Sequence, residues 1–366
     1  MVIMIFFGIK KIKYCLPLAV LMAVGCSSVG PQILPKDRYN YNKAMNYSSN
    51  QELLLNIVRL RYDENLMALK VSSISGSASI SDGLTLGSSV TFPVPGKANG
   101  GLSPSANLNY SDNPIVSYTP LDDQAFFQSF LSRLDLYDVS LLLQSAWSIP
   151  RVLRVGFQQV GKAFNAPSAA RSTSSHVPQY QTFIDMTYVL RRMQLADAIT
   201  GFYSKQGDVE NLTLVIDKHY RLTPKERTIL RKAGIEIYQN QIVFSNYPGP
   251  HKVYVVTRSV IGVFHYLSKG VQEPPEDIKR QVMVQTVYKD GRVFDWQQVL
   301  RGMMKIYYSD SQPKDAYLAI PYRGRWYYIK DSDSDSKQTF ALLANITGLA
   351  QTSAPASAAP ALTRSV

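Results

Sequence analysis

Two cysteines, Cys15 and Cys26, are all that the chain carries. Both lie near its start, so the body has no disulfide, no thiolate nucleophile and no cysteine metal site. The four histidines, His176, His219, His251 and His265, are too scattered for a short metal motif such as H-E-x-x-H. No metal and no cofactor are expected. Acidic residues are also in short supply: 27 against 39 lysines and arginines, a formal net charge of +12. That sign suits anionic partners such as peptidoglycan, lipid headgroups or an acidic protein. No apolar run reaches the roughly 20 residues needed to cross a bilayer as a helix.

What is present begins with a leader. Lys10, Lys11 and Lys13 precede a short apolar run, Cys15 to Val24, which ends in Ala23-Val24-Gly25-Cys26. A positive stretch, an apolar stretch, small residues and then cysteine make the layout of a bacterial lipoprotein signal peptide. The expected cut follows Gly25, because the peptidase needs a small residue there. Cys26 then carries the diacylglycerol and N-acyl (palmitate-type) chains, which together bury enough CH₂ groups to anchor stably. Ser27, not aspartate, comes next. An aspartate there resembles an inner-membrane retention signal in enteric-type bacteria, so the expected address is the outer membrane, facing the periplasm. Nucleic acid is a poor partner in that compartment.

The expected organisation is a signal peptide over 1–25, a polar tether over 26–47, a helical region over 48–205 with a β-meander at 70–118, an α+β domain over 206–350 and a disordered tail over 351–366. Leu53, Leu54, Ile57, Val58 and Leu60 make the apolar stripe of a helix beginning near Asn50. From Val71 to Tyr118 the texture is Ser/Gly-rich, with apolar residues on even positions. A loop at Ser81-Asp82-Gly83 that pairs Ile80 with Leu84 keeps them on one face of a hairpin. Thr119-Pro120 opens a helix with Phe126, Phe127, Phe130, Leu131 and Leu134 on its stripe. Helices are expected at 136–147, 151–164 and 183–203, with a loop over 166–178. Leu212–Ile216 reads as a strand, and Thr223-Pro224-Lys225-Glu226 as a capping box with proline at the first helical position. A hairpin is expected over 235–244 and a helix over 258–267. Strands are expected at 282–287, 305–308, 317–321 and 326–329, and a last helix over 340–349. The fold class is therefore α+β: a helix-rich region carrying a Ser/Gly-rich antiparallel meander, followed by an antiparallel sheet with packed helices.

Few motifs carry chemistry. Ser334 to Lys337 fits S-x-x-K and Ser111-Asp112-Asn113 fits S-D-N, but penicillin-binding enzymes need them in the opposite order and with a K-T-G strand. Asp331, Asp333 and Asp335 resemble the opening of a calcium loop. Ser336 stands where that loop needs glycine, however, and Leu342 where it needs glutamate, which points to a solvated acidic loop. Tyr322, Arg323, Arg325, Trp326, Tyr327 and Tyr328 form an aromatic and basic hairpin. It is either a cross-strand packing cluster or, through Tyr322, Arg323, Arg325, Trp326 and Tyr328, a surface for a glycan or partner. Lys225, Arg227, Arg231 and Lys232 make either a solvated helix face or a basic docking face.

Several stretches resemble a family of uncharacterised proteobacterial lipoproteins: LLLNIVRLRY (53–62), SDNPIVSYTPL (111–121), TRSVIGVFHYLSKGV (257–271), YRGRWYYI (322–329) and SKQTFALLANITGL (336–349). The resemblance implies a secreted, lipid-anchored α+β protein and supplies no activity or site residue. The expected function is a non-enzymatic outer-membrane lipoprotein, a structural or assembly component of the envelope, with a protein partner or a second copy of itself. One alternative is an oligomeric pore or secretion lipoprotein, because strands with one apolar face approach the length that crosses an outer membrane. Another is a periplasmic peptidoglycan- or glycan-binding protein, or a hydrolase.

Overall fold

The structure is a computed structural model that describes residues 29–67, 69–88, 102–120, 124–170, 177–353 and 362–365. The leader, Gly25 and Cys26 lie outside the described residues. The first described element is a 33-residue helix, α1 (Val29–Arg61). It starts well inside the segment expected to be a tether. Pro31 falls in its first turn, where a missing N–H is harmless. The helix is largely exposed over residues 38–50, then buries Leu54, Ile57, Val58 and Leu60. It ends in a Schellman motif: Glu64 N–H donates to the Arg59 carbonyl at 3.0 Å and Asp63 N–H to that of Leu60 at 3.3 Å. Asp63 takes the left-handed position with φ of 55°.

Two long strands follow, β1 (Leu69–Ser88) and β2 (Leu102–Pro120). They pair antiparallel, with Ile80 opposite Tyr110 and Leu84 opposite Ala106. The expected turn at residues 81–83 is therefore absent; Asp82 and Gly83 sit mid-strand, opposite Leu108 and Asn107. An uninterrupted strand keeps residues 74, 78, 80, 84 and 86 on one parity, as the expected hairpin did, and the register pairs them with even positions of β2. The meander is thus one long hairpin.

Helices come next: α2 (Gln124–Leu131), α3 (Leu136–Gln144) and α4 (Ile149–Gly156). Pro150 lies in the first turn of α4, which passes straight into β3 (Phe157–Val160) and β4 (Ala163–Phe164), where a continuous helix to residue 164 was expected. A short 3₁₀ turn at Pro167–Ala170 leads towards α5 (Gln181–Leu195). Asp197, with φ of 49°, ends that helix early. The β-branched and aromatic residues Ile199, Thr200, Phe202 and Tyr203 then fall in β5 (Ile199–Gln206), paired to β6 (Val209–Ile216).

The next helix, α6 (Pro224–Lys232), opens on the expected capping box between Thr223 and Glu226. Then come β7 (Gln241–Ser245), β8 (Lys252–Thr257), α7 (Val260–Ser268), α8 (Pro275–Lys279), α9 (Gln297–Leu300), β9 (Tyr307–Ser309), β10 (Ala316–Tyr322), β11 (Arg325–Lys330), α10 (Ser334–Ser353) and β12 (Leu362–Ser365). Residues 282–287 make no ladder beyond a Val287–Val293 bridge. In the tail expected to be disordered, β12 pairs antiparallel with β2.

The strands form a six-stranded sheet in the order β4-β3-β8-β7-β6-β5 and two three-stranded sheets, β1-β2-β12 and β10-β11-β9. Only β7 and β8 run parallel in the six-stranded sheet. Its inner face, with Leu212, Leu214, Ile242, Phe244, Val253 and Val255, belongs to the same buried cluster as Phe183, Met186 and Leu190 of α5 and Tyr327 and Ile329 of β11. The protein is α+β, and one core runs from Leu54 to Ala350. The expected division at 205/206 falls inside β5, at its last two residues, which pair with Glu210 and Val209 of β6.

Candidate functional site

The sequence-derived surfaces separate on folding. Arg323 and Gly324 form the β10–β11 turn, both with positive φ (50° and 77°), as a tight two-residue hairpin requires. Arg323 reaches back to α1: it pairs with Glu64 at 2.7 Å, and its guanidinium lies 4.6 Å from the Tyr62 ring centre. Arg325 pairs with Glu276, with Asp277 at 3.3 Å and with Asp310 at 3.3 Å. The Tyr322 ring stands edge-on to Tyr62 at 5.5 Å. Tyr322, Arg323 and Arg325 are thus internal fasteners. Trp326 and Tyr328 alternate with the buried Tyr327 and Ile329, so they face the other way and stay half-exposed. There Tyr328 meets Tyr307 of β9 at 5.7 Å, and the Lys330 and Lys305 ammoniums sit 4.4 and 4.8 Å from the Tyr307 ring centre.

Under this hairpin lies a buried polar clasp. The Tyr62 hydroxyl is 2.6 Å from both the Asp277 carboxylate and the Tyr327 hydroxyl. Burial and the Asp277 carboxylate push the Tyr62 hydroxyl well above the ordinary tyrosine range, so it stays a proton donor. LLLNIVRLRY and YRGRWYYI, far apart in sequence, meet here.

The basic run does not make a single face. On α6, Lys225 and Lys232 share one side with the start of α5, lining a cavity of about 410 Å³ with Gln181, Thr182 and Asp185. Arg227 and Arg231, one turn apart, lie on the far side, following the helical period. All four are exposed. The three aspartates of the acidic loop serve three different partners: Asp331 pairs with Lys337 at 2.7 Å, Asp333 accepts from the Ser336 N–H at 3.0 Å, and Asp335 pairs with Arg151 at 2.9 Å. Among the described residues no cluster of histidine, aspartate and glutamate is placed to hold a metal. No helix among them is long and apolar enough to cross a membrane.

Sequence reasoning missed the most constrained site. A cavity of about 490 Å³ is lined by Lys269, Gln272, Glu273, Gln285, Asp295, Trp296, Gln297 and Lys305, among others. Lys269 follows the last turn of α7 and is 9% exposed. Its ammonium has no hydrogen-bond acceptor among the described residues; the Trp296 ring centre is 5.7 Å away. Burial, then the like charge of Arg61, lower its pKa to about 8. Arg61 is itself buried and grips Glu273, whose other carboxylate oxygen accepts from the Gln285 amide at 2.7 Å. The Trp296 indole N–H is spent on the Thr286 hydroxyl at 3.0 Å. Backbone bonds join Gly270 and Gln272 to Ile306 at 2.9 and 2.8 Å, which fixes Lys269 and Lys305 in neighbouring segments of the wall. A lysine beyond a helix end and a glutamate in the following loop carry no periodic signal, and the burial comes from residues 293–306.

No family model, curated protein or solved structure matches this chain.

Proposed function

We propose that this is a lipid-anchored, non-enzymatic protein of the bacterial outer membrane that holds or assembles a partner in the envelope. The observation that carries the reading is the Lys10-to-Cys26 leader, with glycine before the acylated cysteine. Helix α1 supports it, because a helix that starts at Val29, just beyond Cys26, and is largely exposed over residues 38–50 makes a stalk between the anchor and the core. The half-exposed Trp326, Tyr328 and Tyr307, with two lysines beside them, are the proposed contact surface for a partner protein or peptidoglycan.

A second reading is favoured by the 20-residue strand β1 and its 19-residue partner, longer than the roughly 9–11 residues that cross an outer membrane. A ring of such hairpins, one from each subunit, would make a pore.

Growth on an alkyne palmitate analogue tests the anchor. The full chain should take up label, and Cys26→Ala should not; an unlabelled full chain overturns the anchor. Carbonate extraction of membranes carrying Cys26→Ala then separates the two readings. Release of the protein fits the anchored body, whereas retention fits the inserted hairpin.

A further inference from the structure

Strand β5 ends the six-stranded sheet, and among the described residues no strand pairs with its outer edge. The Asp217 N–H donates to the Ala198 carbonyl at 2.9 Å, which sets the phase of the β5–β6 ladder. Thr200, Phe202, Ser204 and Gln206 therefore bond to β6, while Ile199, Gly201, Tyr203 and Lys205 turn their N–H and C=O groups outward. Sheet edges are ordinarily blunted by proline, a bulge or an outstretched lysine. β5 has no proline, and its register runs unbroken from Ile199 to Gln206. Its one lysine, Lys205, is spent on Glu210 of β6 at 3.3 Å.

The side chains of the outward-bonding residues lie on the face that α3 covers, where the rings of Tyr137 and Tyr203 meet edge-on at 5.2 Å. Gly201 leaves that face bare, and a cavity of about 220 Å³ lies beside it, walled by Leu143, Ile149, Ile199, Leu212 and Leu214 among others. The other end of β5 is acidic. Glu210 is answered there by Lys205, by the Tyr203 hydroxyl at 3.0 Å and by the Leu136 N–H at 2.9 Å. Asp135 and Asp138, at the start of α3, have no ion pair among the described residues. Burial, then the like charges of Asp135 and Glu210, raise the pKa of Asp138.

We propose that β5 takes up an extended peptide of another protein as a further, antiparallel strand, with a basic side chain of that peptide beside Asp135 and Asp138 and an apolar one, two residues on, in the cavity at Gly201. The order follows from direction, because an antiparallel strand passes Lys205 before Gly201. Alternate residues of the peptide pack beside Phe202, which is exposed on the opposite face. A second copy of the chain suits the edge less well. It would bring its own Asp135 and Asp138, and its Tyr203 is already bonded to Glu210.

The test uses the purified full chain in non-ionic detergent and the capped, fluorescently labelled peptide TKTKTLT, whose lysines and leucine share one face of a strand. Anisotropy should report saturable binding. Exchanging the lysines for glutamate (TETETLT) or the leucine for serine (TKTKTST) should each weaken it by about tenfold or more. N-methylation of the leucine, whose N–H would meet Gly201, should abolish binding. N-methylation of the threonine before it, whose N–H points away from β5, should leave binding nearly unchanged. Gly201→Val, which narrows the cavity, should weaken TKTKTLT by about tenfold. No saturable binding, equal binding of TETETLT, or equal loss from the two N-methyl peptides overturns the proposal. If TKTKTLT does not bind and the chain sediments as a dimer, the edge belongs to a second copy. The peptide series needs no variant, so a Gly201→Val protein that fails to fold leaves the test intact. The titration is also independent of the palmitate label, so the anchor and the edge can fail separately.

Discussion

At the scale of single residues, Lys269 weighs against the fold that contains it. Arg61 and Asp63 at the end of α1, Glu273 beyond α7 and His265 one turn back all face it. Burial is the main cause of its pKa of about 8, against roughly 10.4 in an unfolded chain. Between those values the unfolded chain holds more protons than the native one, so stability rises with pH across that window. Below about pH 8 the penalty is present in full. Lys269→Met should therefore stabilise the protein at pH 7 by on the order of 2–3 kcal/mol, less any packing mismatch. The gain should fade to nothing by about pH 10.5. Urea midpoints across that range check it; a gain that is independent of pH would mean that the ammonium is solvated. Burial and the Lys269 charge also lower the pKa of His265, so its imidazole should titrate higher in the variant. The sequence hid this residue because a lysine at a helix end ordinarily completes the last turn in water.

At the scale of elements, α1 is locked by its last residues. Tyr62 and Asp277 bond within the core, and Tyr327 and Arg325 join them. Removing the carboxylate leaves buried donors with nothing to bond, which costs more than removing one donor. Tyr62→Phe should destabilise by about 1–2 kcal/mol and Asp277→Ala by about 3 kcal/mol. A double-mutant cycle should give a coupling of about 1 kcal/mol or more; additive losses would mean that the two groups do not act together. What could be read in the sequence follows the same line. The Thr223 capping box and the β10–β11 turn are specified within a few residues, and both form as expected. The end of α5 at Leu195 was not legible, because Ile199 to Tyr203 also continue a helical stripe until β6 supplies a ladder. The loop at Ser81-Asp82-Gly83 failed for the mirror reason: turn-forming residues yield when a long partner strand is on offer.

At the scale of the whole molecule, the expected passage from a helical region over 48–205 to an α+β domain over 206–350 suggests two domains, yet strands pair across that boundary. β5 is an edge strand whose neighbour in the sheet is β6, and the two pair from Ile199–Ile216 to Gln206–Val209 across the boundary. A cut at 205/206 removes that pairing. It also uncovers Leu212 and Leu214, each buried to within 3% and each worth roughly 1.5–3 kcal/mol when sealed from water. The first fragment would keep α1 without Asp277, Tyr327 and Glu273, which hold its end. The losses on both sides exceed what part of a shared core can make good, since whole domains are stable by only about 5–15 kcal/mol. Neither 48–205 nor 206–350 should unfold cooperatively alone, whereas 48–350 should unfold in a single transition. Trp147 lies before the cut, and Trp296 and Trp326 lie after it. Fluorescence of variants retaining only Trp147 or only Trp326 should therefore give the same midpoint as far-ultraviolet circular dichroism. Separate midpoints, or a 206–350 fragment with a dispersed amide spectrum, would restore the two-domain division. Coincident midpoints would tie the aromatic face, the Lys269 cavity and the end of the stalk to one folding unit, so that strain at any of them is felt at the others.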